Sequence, residues 1–264
     1  INLQQFSTPP RIALLVAHLA KPQANDIVLE PSAGVGGLVA LIEPLVAETH
    51  LNEIDPQRAG LAEMIGLPKA TSHNAEVLNS LLEPEIKPTL IVMNPPFTRA
   101  AGGALKALRY GFLHLDQALQ RLEPGGRLVA LLTGGRKGFE SAEGAGLLSP
   151  GARQYWENTT RNYNVRANVW LDGKEYAKYG TSMPVQVIVI DKTGPTPGST
   201  TKERLSNVRT GKYSTVEEVY DALRDIPRHA ARPAPGLPAP DTEGTPGDRQ
   251  PAPATGVASP TGEI

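Results

Sequence analysis

Apolar positions in this chain gather into short runs separated by glycine, proline and polar turns. Runs near 26–30, 49–54, 69–74 and 89–94 read as buried strands, and Arg127–Leu132 as a fifth. Val165–Leu171 and Val185–Ile190 are two further β-rich runs, placed to close the sheet as an antiparallel pair. Between the runs lie helical patterns. Thr8 to Leu19 predicts an N-capped amphipathic helix with prolines in its first turn. Leu108, Phe112, Leu115, Leu119 and Leu122 recur at alternating steps of four and three, which predicts a helix over 106–122. Glu123-Pro-Gly-Gly126 stops it. Pro44 should shorten or kink the helix expected over 38–47. Residues 133–160 are Gly-rich and polar without a clear period, and 214–225 predict a short last helix capped by Ser214. Strands alternating with helices predict an α/β fold: a doubly wound, seven-stranded, mostly parallel sheet.

Composition adds boundaries. From about Arg228, Pro, Ala, Gly, Thr and Asp dominate and large apolar residues nearly vanish. Such a segment buries too little surface to offset the entropy of ordering. The expected division is a domain over 1–193, an extension with a short helix over 194–227, and a disordered linker over 228–264. A linker implies something beyond it, and a chain opening on Ile rather than Met reads as an excised domain. The 264 residues carry a net charge of −1, so any basic surface must be local. Arg99, Lys106, Arg109, Arg136 and Lys137 follow the presumed strand ends, though each also suits plain surface. No cysteine is present, which excludes disulfides and cysteine-ligated metals. No signal peptide or apolar run near 18 residues appears, so a cytoplasmic protein without a membrane partner is expected.

The chemistry gathers at predicted strand ends. Thr89-Leu-Ile-Val-Met93 runs into Asn94-Pro95-Pro96-Phe97. In open α/β sheets ligands bind at that end. The Asn94 side-chain oxygen can accept from an exocyclic amino group. The two prolines stiffen the next carbonyl into a second acceptor. Phe97 offers a flat face for a planar ring. The bland alternative is a strand ending in a Pro-Pro turn. Upstream, Ile27–Leu29 leads into Glu30-Pro31-Ser32-Ala33-Gly34-Val35-Gly36, a turn in which Gly34 and Gly36 let the backbone approach a ligand, or simply make a tight strand-to-helix turn with none. The spacing is not that of a pyrophosphate loop, and the Glu30 carboxylate suits a cationic, amino-acid-like ligand. Glu53 ends the next run about twenty residues on, where an acid can receive both hydroxyls of a ribose. Asp55 is placed to cap a helix starting near Pro56. Glu76 closes a third segment, placed for an adenine amino group or as ordinary surface.

In order, Glu30-Pro-Ser-Ala-Gly-Val-Gly-Gly37, Asn52-Glu-Ile-Asp-Pro56, Asn74-Ala-Glu76 and Asn94-Pro-Pro-Phe97 resemble the motifs of S-adenosylmethionine-dependent amino-methyltransferases, above all the adenine-N6 DNA class. Gln4-Gln-Phe-Ser-Thr-Pro9 resembles the extra cofactor motif that precedes the sheet in the subgroup with this order. Together with Val165–Thr181, it resembles the methyltransferase domain joined to Strawberry-notch-type helicases in phage and plasmid proteins. The resemblance covers roughly residues 4–193. It implies a Rossmann-like class I methyltransferase fold. It also implies S-adenosyl-L-methionine held by Phe6, Thr8, Pro9, Glu30, Pro31, Ser32, Ala33, Gly34, Gly36, Glu53, Ile54, Ala75 and Glu76. DNA would be the substrate, and a helicase would follow in the parent polypeptide.

The reaction so implied is methyl transfer to adenine N6. The target base must flip out of the duplex to be reached. Asn94 and the Pro95 carbonyl would accept from N6, Pro96 would stiffen the turn and Phe97 would stack. No metal is expected. Tyr176, Lys178 and Tyr179, between the last two runs, are candidates for a second face or a phosphate contact, with core packing the alternative for the tyrosines. Cytosine N4, a glutamine-N5 protein acceptor and an inactive DNA-positioning domain compete with this reading. No room exists for a sizeable target-recognition domain, so either 98–110 and 133–160 read the target, or specificity is loose, or another domain supplies it.

Overall fold

The computed structural model describes residues 7–96, 104–133 and 152–228, with only the backbone for 104–108. The elements, in order, are α1 (Pro10–Ala20), β1 (Ile27–Glu30), β2 (Glu48–Leu51), α2 (Pro56–Met64), α3 (Leu78–Leu81), β3 (Leu90–Met93), α4 (Ala104–Arg121), β4 (Arg127–Thr133), α5 (Arg153–Asn162), β5 (Asn164–Leu171), β6 (Val185–Asp191), α6 (Thr201–Ser206), β7 (Arg209–Tyr213) and α7 (Val216–Leu223). They build one seven-stranded sheet in the order β2-β1-β3-β4-β6-β5-β7. Only β6 runs against its neighbours; the other four pairings are parallel.

Alternation along the strands explains the two layers. Leu90 and Val92 of β3 face one way with Val129 and Leu131 of β4, and meet Ile12, Val16 and Leu19 of α1 and Val219 and Leu223 of α7. Ile91, Met93, Leu128 and Ala130 face the other way, onto Phe112, Leu115 and Leu119 of α4 and Trp156 of α5. Both sheet faces are thus covered, as continuous apolar strands require.

Seven strands are present among the described residues, but not the seven expected. The run over 69–74 does not form a strand. A single parallel bridge, Asn52 to Thr71, ties it to the end of β2. The sequence there, Lys69-Ala-Thr-Ser-His-Asn74, has almost nothing apolar to bury, so side-chain bonds replace a ladder. Asn52 donates to the Pro31 and His73 carbonyls and accepts from Thr71 Oγ1 and the His73 amide. The seventh strand is instead β7, paired in parallel with β5, so the sheet continues past residue 193.

Other expectations shift in detail. Pro44 breaks its segment into two 3-10 turns, Val39–Leu41 and Glu43–Leu45. Thr215, not Ser214, caps α7, in a reciprocal capping box with Glu218. Thr8 does not cap α1; Pro9 occupies that position with no side-chain bond. Arg228 is not linker. Its guanidinium is buried and pairs with both oxygens of Asp26, at 2.5 and 2.7 Å. Beside it, buried Arg127 bonds both oxygens of Asp191 and the Leu19 and Pro227 carbonyls. Residues 224–228 thereby strap the N-terminal edge of the sheet.

Candidate functional site

The chain runs from β1 to β2 on one side, then crosses back to β3 on the other. Such a reversal opens a crevice at the C-terminal ends of the strands. Glu30, Glu53 and Asn94 stand at the ends of those strands.

The glycine loop is held from its far side. Gly34 and Gly36 have φ of +58° and +79°, a region that disfavours side chains. A Cβ on Gly34 would strike the Arg58 guanidinium, and one on Gly36 would strike Leu67. The Gly34 amide donates to Glu53 Oε2 at 2.6 Å and the Asp55 amide to Oε1 at 2.9 Å. Asp55 caps α2 by accepting from the Gln57 and Arg58 amides. Glu53 therefore joins the loop to the start of α2 through one bond per oxygen. Each oxygen keeps a lone pair for a further donor.

Glu30 is the contrasting acid. It is 2% exposed, and its Oε2 has no hydrogen-bond partner among the described residues. Burial is the main cause that pushes its carboxyl well above the usual range; the Val39 amide opposes the shift and Glu53 adds to it. The group needs a cation or a proton.

Asn94 is fixed by its amide nitrogen. Nδ2 donates to Thr8 Oγ1 at 2.9 Å and to the Tyr176 hydroxyl at 3.4 Å. Its Oδ1 is buried with no partner among the described residues. Thr8 and Tyr176 thus hold the amide from behind and leave an acceptor unfilled.

Two adjoining hollows result. Thr8, Glu30, Ser32, Ala33, Gly34, Glu53, Arg58, Asn94, Pro95 and Pro96 line the first. The second, about 590 Å³, is lined by Pro31, Ser32, Glu53, Ile54, Ala75, Glu76, Pro96, Tyr110 and His114, among others. They share Ser32, Glu53 and Pro96. The Tyr110 hydroxyl donates to Glu76 Oε1 at 2.9 Å.

Most sequence-predicted residues converge here. Gly36 shapes the loop without lining either hollow, and Pro9 starts α1. Phe6 and Phe97 lie outside the described residues, as do Arg99, Arg136 and Lys137. Arg109 is exposed. Tyr176 is fully buried beneath Asn94, so in this conformation it supports the site instead of offering a face. Lys178 and Tyr179 are exposed on the 3-10 segment Gly173–Tyr179. Sequence reading missed Arg58, Tyr110 and His114. The step of four from Tyr110 to His114, beside the apolar stripe of α4, was the available signal.

The residues fit S-adenosylmethionine on their own chemistry. The unpaired Glu30 oxygen suits an ammonium, Glu53 keeps lone pairs for hydroxyls, and the second hollow has Ile54 and an acid for an amino-bearing ring. Among the described residues no cluster of metal-ligating side chains occurs, and no helix is long and apolar enough to cross a membrane.

No family model and no curated protein matches the chain. Solved structures do. A Vibrio vulnificus YJ016 protein, named as a modification subunit of a type I restriction enzyme, aligns with 74% of this chain and 46% of its own, at 20% identity and a TM-score of 0.58. The M protein of the type I restriction enzyme EcoKI aligns over 72% and 44%, at 18% identity and 0.57. A Listeria monocytogenes protein, named as a class I S-adenosylmethionine-dependent methyltransferase, aligns over 85% and 72%, at 12% identity and 0.58. The chain spans less than half the length of the two restriction-enzyme subunits. At these identities the likeness speaks for architecture: this chain has the class I methyltransferase fold.

Proposed function

We propose that this chain transfers a methyl group from S-adenosyl-L-methionine to the exocyclic N6 of adenine in DNA. The observation that carries the reading is Asn94: its amide nitrogen is tied down twice while its buried oxygen lacks a partner. A fixed, unfilled acceptor at the end of β3 calls for an amino donor. The likeness to the modification subunits of type I restriction enzymes supports DNA as the molecule that carries it.

When bound, the cofactor supplies an electrophilic methyl group on a sulfonium sulfur. The chain's own residues do the rest. Glu30 meets the cationic amino-acid end, Glu53 the ribose hydroxyls and Glu76 the adenine amino group. The target base flips out at a cost of a few kcal/mol. Asn94 Oδ1 and the Pro95 carbonyl accept from its N6 and turn the nitrogen lone pair toward the methyl, so rate comes from orientation in a dry pocket. Phe97 would stack on the base. The proton leaves N6 once that nitrogen is cationic, so no strong base is required. The resemblance of Val165–Thr181 supports a helicase in the same parent polypeptide.

The test is incubation with methyl-labelled S-adenosylmethionine and unmethylated DNA, followed by nucleoside analysis. N6-methyladenine is expected. N4-methylcytosine or labelled protein would move the acceptor. No label on any acceptor would overturn the activity.

A further inference from the structure

His114 is the least explained polar side chain near the site. It lies on α4, one turn beyond Tyr110, and is 3% exposed. Neither ring nitrogen has a hydrogen-bond partner among the described residues. Its ring meets Tyr110 edge-on, with centroids 4.6 Å apart. Both residues line the second hollow with Glu76. A leucine or phenylalanine at 114 would extend the apolar stripe of Phe112, Leu115 and Leu119 without burying an unfilled donor and acceptor. An imidazole kept here at that cost points to a polar visitor in the hollow.

The chemistry of the visitor follows from the neighbours. Burial pushes the imidazole pKa down to about 4, with Glu76 opposing the shift, so at neutral pH the ring is uncharged. It then presents one N–H donor and one bare nitrogen. Glu76, already accepting from Tyr110, is an acceptor. An acceptor beside a donor is the complement of adenine's amino edge, where an N–H₂ group adjoins a bare ring nitrogen.

We propose that His114 donates a hydrogen bond to the ring nitrogen beside the cofactor's adenine amino group, and so reads adenine together with Glu76. The inference rests on the cofactor reading above. It assigns to α4 a specificity role that Glu76 alone cannot fill, because a carboxylate has no donor for a ring nitrogen.

The test is calorimetric titration of the full chain with S-adenosylhomocysteine and its 1-deaza and 7-deaza analogues. The parent should bind one deaza analogue about tenfold more weakly than the natural ligand, the share of one hydrogen bond. His114→Phe should bind S-adenosylhomocysteine with the same loss and no longer distinguish that analogue. Its melting temperature without ligand should equal or exceed the parent's. Equal binding of all three ligands by the parent overturns the proposal, and needs no variant to fold. So does a deaza penalty that survives in His114→Phe. Both outcomes leave the cofactor reading intact; a parent that binds none of the three ligands removes that reading and the proposal with it.

Discussion

Asp26 and Glu30 flank a single strand, and both are buried acids. At the N-terminal end of β1, Asp26 accepts from the Gln23 amide, Thr89 Oγ1 and both terminal nitrogens of Arg228. The chain itself completes that carboxylate. At the other end, Glu30 keeps one oxygen unpaired, and Asn94 Oδ1 and His114 share its condition. One end of the sheet is closed by the fold and the other is left for a ligand. Burial of an acid therefore says little about its role; what the neighbours leave unfilled says more.

The comparison can be broken in order of effect. Asn94→Ala removes the unfilled acceptor, so single-turnover methylation should fall by about two to three orders of magnitude. Cofactor affinity should stay near the parent's, and the stability loss should not exceed the roughly 1–3 kcal/mol of a buried hydrogen bond removed from Thr8 and Tyr176. Rates near the parent's would remove Asn94 from the reaction.

At the closed end the effect should fall on stability. Arg228→Ala leaves Asp26 buried without its charge partner, which costs about 3–5 kcal/mol. Urea denaturation would read it, while cofactor affinity stays unchanged. A loss under about 1 kcal/mol would mean that the strap does not hold the edge.

His114 makes a pH prediction. Its folded pKa, about 4, lies below the unfolded value near 6.5. Between those values the unfolded chain binds the extra proton, so stability is full above pH 6.5 and is lost as pH falls toward 4. The expected loss is about 3 kcal/mol. Stability of His114→Phe measured across that window should lack this component. An unchanged slope would show that the imidazole is already protonated in the fold.

The smallest effect has the opposite sign from Arg228→Ala. Glu30→Gln removes an acid whose folded pKa is raised by burial. As pH rises through the carboxylate range, the unfolded chain ionises first, and native stability falls until the raised folded value is passed. Glu30→Gln should therefore melt higher than the parent at neutral pH. A lower melting temperature would mean that Glu30 is a structural acid like Asp26.

How much of this was legible in the sequence depended on side-chain character. β1, β3, β4, β5 and β6 are apolar runs, and the sequence declares them. β7, Arg209-Thr-Gly-Lys-Tyr213, lies at the sheet edge with polar, partly exposed positions, so no period marks it. The 69–74 segment failed for the reverse reason: it was expected as a buried strand, but its side chains could not fill a core position. That Glu30, Glu53, Glu76 and Asn94 gather around the two hollows was legible because each ends a segment. Thr8 read as a helix cap, since a cap and a partner for Asn94 look alike in sequence. Arg228 opens a Pro-rich stretch, and only the fold reveals Asp26 beneath it. Tyr176 gave no sign whether it would face solvent or lie under the site.

The central claim is that the unpaired groups at the C-terminal edge are ligand groups. Calorimetric titration of S-adenosylmethionine into the parent and Glu30→Gln, in two buffers of different ionisation enthalpy, tests it most directly. A cationic amino-acid group meeting Glu30 favours its carboxylate, so binding should release a proton. The parent's heat should then depend on the buffer, and its affinity should rise with pH. Glu30→Gln should bind at least tenfold more weakly and show no buffer dependence. Parental affinity in Glu30→Gln, or no binding by the parent at all, would contradict the account.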